Sequence, residues 1–321
     1  MKHINSDGEG GNQLEPLLEI DNLSVSFTQY EKGFTKKETK VIHSLTLSIQ
    51  KGEVVAVVGS SGSGKSLLAH AILGILPANA MVTGAIKYRG EKLNETKLSN
   101  LRGKEIALVP QSVNFLNPLM KTGAQVRSSV KDQTNIKDQR RVFRRFKLAP
   151  HVEQAYPFEL SGGMARRVLV STAVIGGAKV IVADEPTPGL DQAVVKEALS
   201  SFKELALEGT AVMLITHDIE AALHIADRIA VFYAGTIVEV APVQDFSGKG
   251  AALRHPYTKA LWRALPQNEF KPIPGSQPLS HALPKGCLFE PRCELATEQC
   301  SLQIPAVKTV RGGMVRCIHA T

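Results

Sequence analysis

Four short, continuously apolar segments are spaced along the first two thirds of the chain. They span residues 54–58, 106–109, 180–183 and 212–215, and each ends in a small or polar residue. Continuous apolar strands that alternate with helices are typical of a parallel sheet whose two faces are both covered. The pattern predicts an α/β core with a mainly parallel sheet flanked by helices.

The segment ahead of this core follows a different pattern. Residues 17–27 and 41–49 are strand-like, and a polar insert rich in Lys, Glu and Thr separates them. In the second stretch, Leu45, Leu47 and Ile49 alternate with polar residues, which is the period of a half-buried antiparallel strand. We therefore expect an antiparallel β subdomain beside the parallel sheet.

Between residues 118 and 160 the chain becomes polar and helix-prone. Val142, Phe143 and Phe146 are spaced to share one helix face, and six basic residues surround them. The basic residues are Lys137, Arg140, Arg141, Arg144, Arg145 and Lys147. The pattern favours a solvent-exposed helix with an apolar seam, and a docking surface for another subunit is the alternative.

The length and the changes in composition predict how the chain is divided. It has 321 residues, 43% of them hydrophobic, which is enough for one large domain with an appendage. We predict a disordered tail over residues 1–16 and a main domain over 17–247, with a helical subdomain at about 112–175. Residues 248–321 form an extension with Pro-rich loops and a short helix at about 257–264.

The same sequence restricts where the protein works and what it binds. It contains no run of eighteen apolar residues and no apolar segment near its start, so we expect neither a transmembrane helix nor a secretory signal. Lys and Arg exceed Asp and Glu by eight. This charge is compatible with nucleic acid, anionic lipid or an anionic ligand, and equally with ordinary solubility.

A phosphate-binding motif follows the first apolar segment. Its residues match G-x-x-x-x-G-K-[ST] and are Gly59, Ser60, Ser61, Gly62, Ser63, Gly64, Lys65 and Ser66. The glycines let successive backbone N–H groups point at phosphate oxygens, the lysine adds positive charge, and the final hydroxyl ligates Mg²⁺. An apolar strand precedes the motif and a helix over residues 65–73 follows it, so we predict binding of a nucleoside triphosphate.

Polar side chains end three of the other apolar segments. The segment at 180–183 ends in Asp184 and Glu185, the segment at 212–215 leads to His217, and the segment at 106–109 leads to Gln111. An acid beside a phosphate loop can hold Mg²⁺, and a second acid can polarise the attacking water. These tips indicate phosphoryl-transfer chemistry.

Residues 160–164, LSGGM, resemble the LSGGQ signature of ATP-binding cassette (ABC) proteins. The order of phosphate loop, Gln111, signature, acid pair, a D-loop around Asp191 and His217 is similar to that family throughout. Ser161, Gly162 and Gly163 precede a helix expected from Met164, so they offer an anion site at its N-terminus. In the family this site faces the γ-phosphate bound by the other subunit.

The resemblance implies a role for each residue of the nucleotide site. Lys65 and the loop amides bind the phosphates of ATP, Ser66 and Gln111 bind Mg²⁺, and Asp184 holds a water molecule that is bound to the metal. Glu185 is then the general base.

His217 contacts the γ-phosphate in this family. Phe27 aligns with the aromatic residue that stacks on adenine, although Tyr30 and Phe34 are near enough to compete.

The chain departs from the family pattern at two places. Residues 188–191 read PGLD, so a hydroxyl that bonds across the dimer in other members is missing. The signature ends in Met164, and residues 165–167 read ARR instead of the usual RQR. Methionine at that position is typical of one branch of the family.

That branch comprises the dipeptide, oligopeptide and nickel importers, whose ATPases carry an extension opening with HPYT. Here residues 255–261 read HPYTKAL, and the last 35 residues contain all four cysteines of the chain, Cys287, Cys293, Cys300 and Cys317. Similar extensions in peptide-importer ATPases carry a [4Fe–4S] cluster, so the resemblance implies this cofactor. Zinc and plain thiols are alternatives, and disulfides are not expected in a cytosolic ATPase.

The resemblance implies the energy-coupling ATPase of an importer for dipeptides or oligopeptides, with nickel or a metal chelate as the alternative cargo. Its partners would be a related second ATPase, two transmembrane permease subunits and an extracellular or periplasmic substrate-binding protein, at the cytoplasmic face of the membrane. A soluble ABC ATPase acting on nucleic acid or in cluster assembly is the competing hypothesis. The sequence has no aromatic-basic patch for stacking on bases, so we expect no nucleic acid partner.

Overall fold

A computed structural model of the chain describes residues 15–30, 36–129, 136–190 and 192–321. The strands are β1 (Leu18–Tyr30), β2 (Lys36–Ile49), β3 (Val54–Val58), β4 (Ala80–Tyr88), β5 (Glu91–Lys92), β6 (Ile106–Val109), β7 (Val180–Asp184), β8 (Ala211–Thr216), β9 (Arg228–Tyr233), β10 (Thr236–Pro242), β11 (Lys308–Val310) and β12 (Gly313–Val315). The helices are α1 (Lys65–Leu73), α2 (Glu95–Leu101), α3 (Thr122–Ser128), α4 (Ile136–Arg145), α5 (Gly162–Val174), α6 (Gln192–Leu207), α7 (Ile219–Ile225), α8 (Pro256–Arg263) and α9 (Glu298–Leu302). Most of the tail predicted as disordered lies outside the described residues.

The first sheet is the expected antiparallel subdomain, with the order β2-β1-β4-β5. The polar insert between β1 and β2 is shorter than the sequence pattern suggests, because β2 begins at Lys36 and pairs with Tyr30. The polar side chains at the start of β2 are mostly exposed, so this part of the ladder carries no apolar alternation.

The second sheet holds the parallel core. Its order is β11-β12-β10-β9-β3-β8-β7-β6, in which β9, β3, β8, β7 and β6 run parallel and the remaining strands pair antiparallel. All five residues of β3 are fully buried. They alternate between two apolar clusters, one on each face of the sheet, as the continuous apolar runs predict.

The helical region after β6 is held by the apolar seam noted in the sequence. Val142, Phe143 and Phe146 are all buried against the core cluster that includes Leu169 of α5. Most of the basic side chains are exposed, and Arg141 pairs with Asp138 at the surface. The exposed-helix interpretation therefore accounts for α4.

The C-terminal extension is built into the main domain. Strands β11 and β12 extend the large sheet beyond β10. At the start of the extension, Arg254 lies buried between Glu239 of β10 and Asp245, and it donates to the backbone oxygens of Val310 and Arg311. One buried arginine thus joins three separate segments.

Candidate active site

The phosphate loop connects β3 to α1 at the carboxyl edge of the parallel strands. Gly62 and Gly64 adopt positive φ angles of 73° and 104°, which glycine reaches without steric cost. The Lys65 ammonium donates to the backbone oxygens of Gly59, at 2.9 Å, and Ser60, at 2.8 Å. Burial lowers the pKa of Lys65, and the charges of Glu185 and Asp184 oppose that shift. The backbone N–H groups of the loop and this lysine form a positive cradle for phosphates.

Asp184, at the end of β7, has the features of a magnesium ligand. Asp184 is only 5% exposed, and Ser66 donates a hydrogen bond to its carboxylate. Among the described residues, its Oδ1 has no hydrogen-bond partner. Burial raises the pKa of Asp184, the Ser66 bond opposes this, and the neighbouring Glu185 adds to it. A buried carboxylate with an unpaired oxygen beside a hydroxyl fits a Mg²⁺ bound with ATP phosphates.

The three strand tips meet at the carboxylate of Glu185. Its Oε2 accepts a bond from Gln111 Nε2 at 3.3 Å and lies 3.2 Å from His217 Nδ1. The Glu185 side chain is 13% exposed, whereas that of His217 is 55% exposed. Glu185 has a φ of 43°, a strained conformation for a residue with a side chain, and such strain concentrates at functional sites.

The signature segment caps α5, with one correction to the expected helix start. The helix begins at Gly162 instead of Met164, because Ser161 is the N-cap and its Oγ accepts from the Met164 N–H at 3.3 Å. The two glycines therefore form the first turn. A Cβ added at Gly163 would lie 3.0 Å from Val194 Cγ1, so a larger residue is poorly accommodated there.

Arg166 is a functional neighbour that sequence reasoning missed, since it appeared only as a departure from the family pattern. Its buried guanidinium donates to the backbone oxygens of Pro110, at 2.9 Å, and Gln111, at 2.7 Å. This bond pair connects the signature helix with the loop that positions Gln111. Only a structure reveals it, because the two segments lie 55 residues apart.

The expected adenine-stacking residues are placed less completely. Phe27 lies near the end of β1, is partly exposed and packs on the antiparallel subdomain. The side chain of Tyr30, all of Phe34, and Asp191 of the D-loop lie outside the described residues.

The four cysteines line one small cavity together with His255 and His319. Burial is the main cause that raises the pKa of Cys287, to about 11, and neighbouring cysteines add to it. Cys300 Sγ lies 3.4 Å from His319 Nε2. Within the described ranges, however, no group of three or more His, Cys, Asp or Glu side chains has an arrangement that could hold a metal ion.

Comparison with known proteins identifies the family. Residues 42–188 match the family described as ABC transporter, and residues 238–300 match the family described as oligopeptide/dipeptide transporter, C-terminal region. The dipeptide transport ATP-binding protein DppD of Escherichia coli is 34% identical over 94% of this chain and 96% of that protein. The chain belongs to the ABC transporter family. Of its described helices, none is both long and apolar enough to cross a membrane.

Further relatives of this ABC protein agree. The oligopeptide transport ATP-binding protein AppD of Bacillus subtilis is 33% identical over 95% of this chain and 97% of that protein. The cassette MJ0796, solved as a dimer in a post-hydrolysis state bound to ADP and phosphate, gives a TM-score of 0.61 at 25% identity. The aligned region covers 70% of this chain and 98% of the MJ0796 chain. The predicted fold and family are confirmed, and the chain is an ABC-type ATPase that uses ATP with Mg²⁺.

Proposed function

We propose that this ATPase lies at the cytoplasmic face of the membrane and drives the import of dipeptides or oligopeptides. The observation that carries the proposal is the joining of an ATP-binding cassette to an extension of the oligopeptide/dipeptide transporter type. DppD and AppD, named as peptide transport proteins, match over nearly their full length, which favours peptides over nickel. Co-purification with polytopic membrane proteins tests this against the soluble-ATPase alternative.

The geometry of the site supports the residue roles that we propose. Lys65 and the loop amides hold the ATP phosphates, while Ser66 and Asp184 hold Mg²⁺, with Gln111 beside them. Glu185 orients and deprotonates the attacking water, which needs its carboxylate within hydrogen-bond reach of that water.

His217 lies beside Glu185 with a largely exposed ring, so that it can contact the γ-phosphate. Phe27 is assigned to the adenine. In this assignment the positive groups stabilise charge that spreads over the phosphoryl oxygens, and little covalent chemistry is needed from the protein.

A second cassette completes the site in this proposal. The Ser161 side chain caps its own helix, and the first-turn glycines leave N–H groups free of side-chain cover at a positive helix end. A triphosphate held by the phosphate loop of a related partner would lie against this cap. The dimeric state of MJ0796 supports such a pairing, and we propose that the partner here is a distinct but related ATPase.

Three exposed apolar side chains in the region after Gln111 are assigned to permease docking. Phe115 is 70% exposed, Leu119 is 87% exposed and Phe158 is 73% exposed. Phe158 stacks on Tyr156 with 5.6 Å between ring centroids, so it is held in place at the surface. Exposed apolar patches of this kind mark interaction sites. Through the Gln111 loop, the state of the nucleotide would reach two membrane subunits, which receive peptide from a substrate-binding protein.

Replacing Glu185 with Gln tests the catalytic assignment. The amide keeps the shape and the hydrogen bonds but cannot accept a proton, so turnover by the assembled complex should fall by about two to three orders of magnitude, with ATP binding retained. Glu220→Gln, at an exposed position of α7, is the matched control. Wild-type turnover in the Glu185 variant would refute the assignment of the base.

We further propose that the four cysteines hold a [4Fe–4S] cluster, with zinc as the alternative. Support comes from their convergence on one cavity and from the electrostatic coupling of Cys287 to the other three. Their side chains require rearrangement to reach ligand geometry. The iron ions of a bound cluster would supply the positive charge that buried thiolates need, and the cluster would cross-link the Pro-rich segment.

A further inference from the structure

A segment of the extension contacts the phosphate loop directly. We call residues 273–277 the strap. Ser60 Oγ donates a hydrogen bond of 2.8 Å to Gln277 Oε1, across 217 positions of sequence. Ile273 and Gln277 also line a cavity of about 280 Å³ whose other walls include Gly59, Ser60 and His217. The strap therefore contacts the phosphate loop and shares this cavity with His217.

Arg292 holds the strap in place. Its Nε donates to the Pro274 oxygen at 2.8 Å, and its Nη2 lies 3.3 Å from the Ile273 oxygen. Nη1 lies 3.3 Å from Tyr233 Oη, and the guanidinium covers the rings of Tyr233 and Phe289 at 5.9 Å. The fork of the arginine thus ties two strap carbonyls to aromatic side chains, a set of contacts that lysine cannot reproduce.

The sheet supports this anchor. Tyr233 is fully buried at the end of β9, and β9 pairs with β3, the strand that leads into the phosphate loop. Arg292 lies in the short segment between Cys287 and Cys293. The segment 287–293, the strap and the phosphate loop consequently form one continuous set of contacts.

The strap bonds to a residue that orients the catalytic lysine. The Ser60 backbone oxygen accepts a hydrogen bond from Lys65 Nζ, while the Ser60 hydroxyl donates one to Gln277. We propose that Gln277 and Arg292 are positioning residues, which fix Ser60 and through it the direction of Lys65 before ATP binds. The inference rests on the nucleotide site described above and assigns the extension a part in ATP binding.

Binding of a fluorescent ATP analogue with Mg²⁺ to the full-length chain tests the inference. Gln277→Ala removes the acceptor and should weaken binding about two- to tenfold, the range that the net value of one hydrogen bond allows. Arg292→Lys keeps the charge but loses the fork, and it should weaken binding in the same range. Gln267→Ala makes the same chemical change as the first variant at an exposed position outside the strap and should bind as the wild type does.

Two further measurements separate positioning from a general loss of structure. Backbone amide exchange in residues 59–66 should accelerate in Gln277→Ala and Arg292→Lys, with far-UV circular dichroism unchanged. In a double-mutant cycle of Ser60→Ala with Gln277→Ala, the effects on binding should fall short of additive, because both changes remove one bond.

The outcomes discriminate between the inference and the function. Unchanged or tighter nucleotide binding by Gln277→Ala, with unchanged exchange in the loop, overturns the role of the strap. Additive effects in the cycle also overturn it. Failure of the wild-type chain itself to bind the ATP analogue contradicts the nucleotide site, and that result is distinct from either of the others.

Discussion

The buried Arg254 offers a quantitative test of how the extension is attached. Its side chain is 1% exposed and that of Glu239 is 0% exposed, so Arg254→Met leaves a fully buried carboxylate without its counter-ion. Breaking a buried pair from one side costs about 3–5 kcal/mol. Glu239 keeps bonds from the backbone N–H groups of Arg254 and His255, so we place the loss near the lower limit, at about 3 kcal/mol.

The single tryptophan of the chain makes the effect measurable. Trp262 lies in α8, is buried, and donates to the Gly248 oxygen at 3.0 Å, so its fluorescence reports on the start of the extension. With an m value of about 2 kcal/mol/M, a loss of about 3 kcal/mol lowers the urea midpoint by about 1.5 M. We expect the fluorescence transition of Arg254→Met to shift by this amount and to precede the loss of helical circular dichroism.

Two variants control for other causes. Arg141→Met makes the same change in an exposed surface pair and should cost less than about 0.5 kcal/mol. Adding Glu239→Gln to Arg254→Met removes the uncompensated charge while its amide oxygen still accepts from a backbone N–H, and it should recover part of the loss. A midpoint for Arg254→Met that equals that of Arg141→Met would refute the reasoning.

Three further predictions concern the sites themselves. Burial raises the pKa of Asp184, so protons compete with Mg²⁺ for this carboxylate at a higher pH than they would for an exposed aspartate. Mg²⁺-dependent ATP binding should therefore weaken on acidification, and Asp184→Asn should remove both the metal dependence and its pH dependence in a Mg²⁺ titration. Anaerobically purified protein should contain iron and sulfide in equal amounts and lose both in Cys300→Ser, whereas stoichiometric zinc in a colourless protein would contradict the cluster. Phe158→Ser should reduce co-purification with the membrane subunits at unchanged nucleotide binding; equal loss with Phe270→Ser, an exposed phenylalanine of the extension, would argue against a docking surface.

Strand tips and the phosphate loop were predictable because each depends on local sequence. The helix over residues 65–73 has the expected bounds, and the polar residues after β6, β7 and β8 converge because parallel strands present their carboxyl ends at one edge. The predicted start of α5 was wrong by two residues. Glycines are poor helix formers, which favoured a later start, but the N-cap role of Ser161 outweighs their low propensity there.

Long-range contacts were beyond prediction. Nothing in the local pattern around Arg254, Gln277 or Arg292 indicates a partner, and their contacts depend on how loops of the extension return to the sheet. The hairpin of β9 and β10 is largely apolar over residues 229–241, a pattern that sequence reasoning did not use. The hairpin of β11 and β12 has only three residues in each strand, too few for a periodic signal.

The central claim is that ATP is clamped between the phosphate loop of one cassette and the Ser161–Gly163 helix cap of another. The most direct measurement is a cryo-electron microscopy structure of the complete transporter carrying Glu185→Gln with ATP and Mg²⁺. The account predicts that Ser161 Oγ and the Gly163 N–H of this chain lie within hydrogen-bond distance of the γ-phosphate bound by the partner cassette. A nucleotide-loaded, closed complex in which that helix cap faces solvent would contradict it.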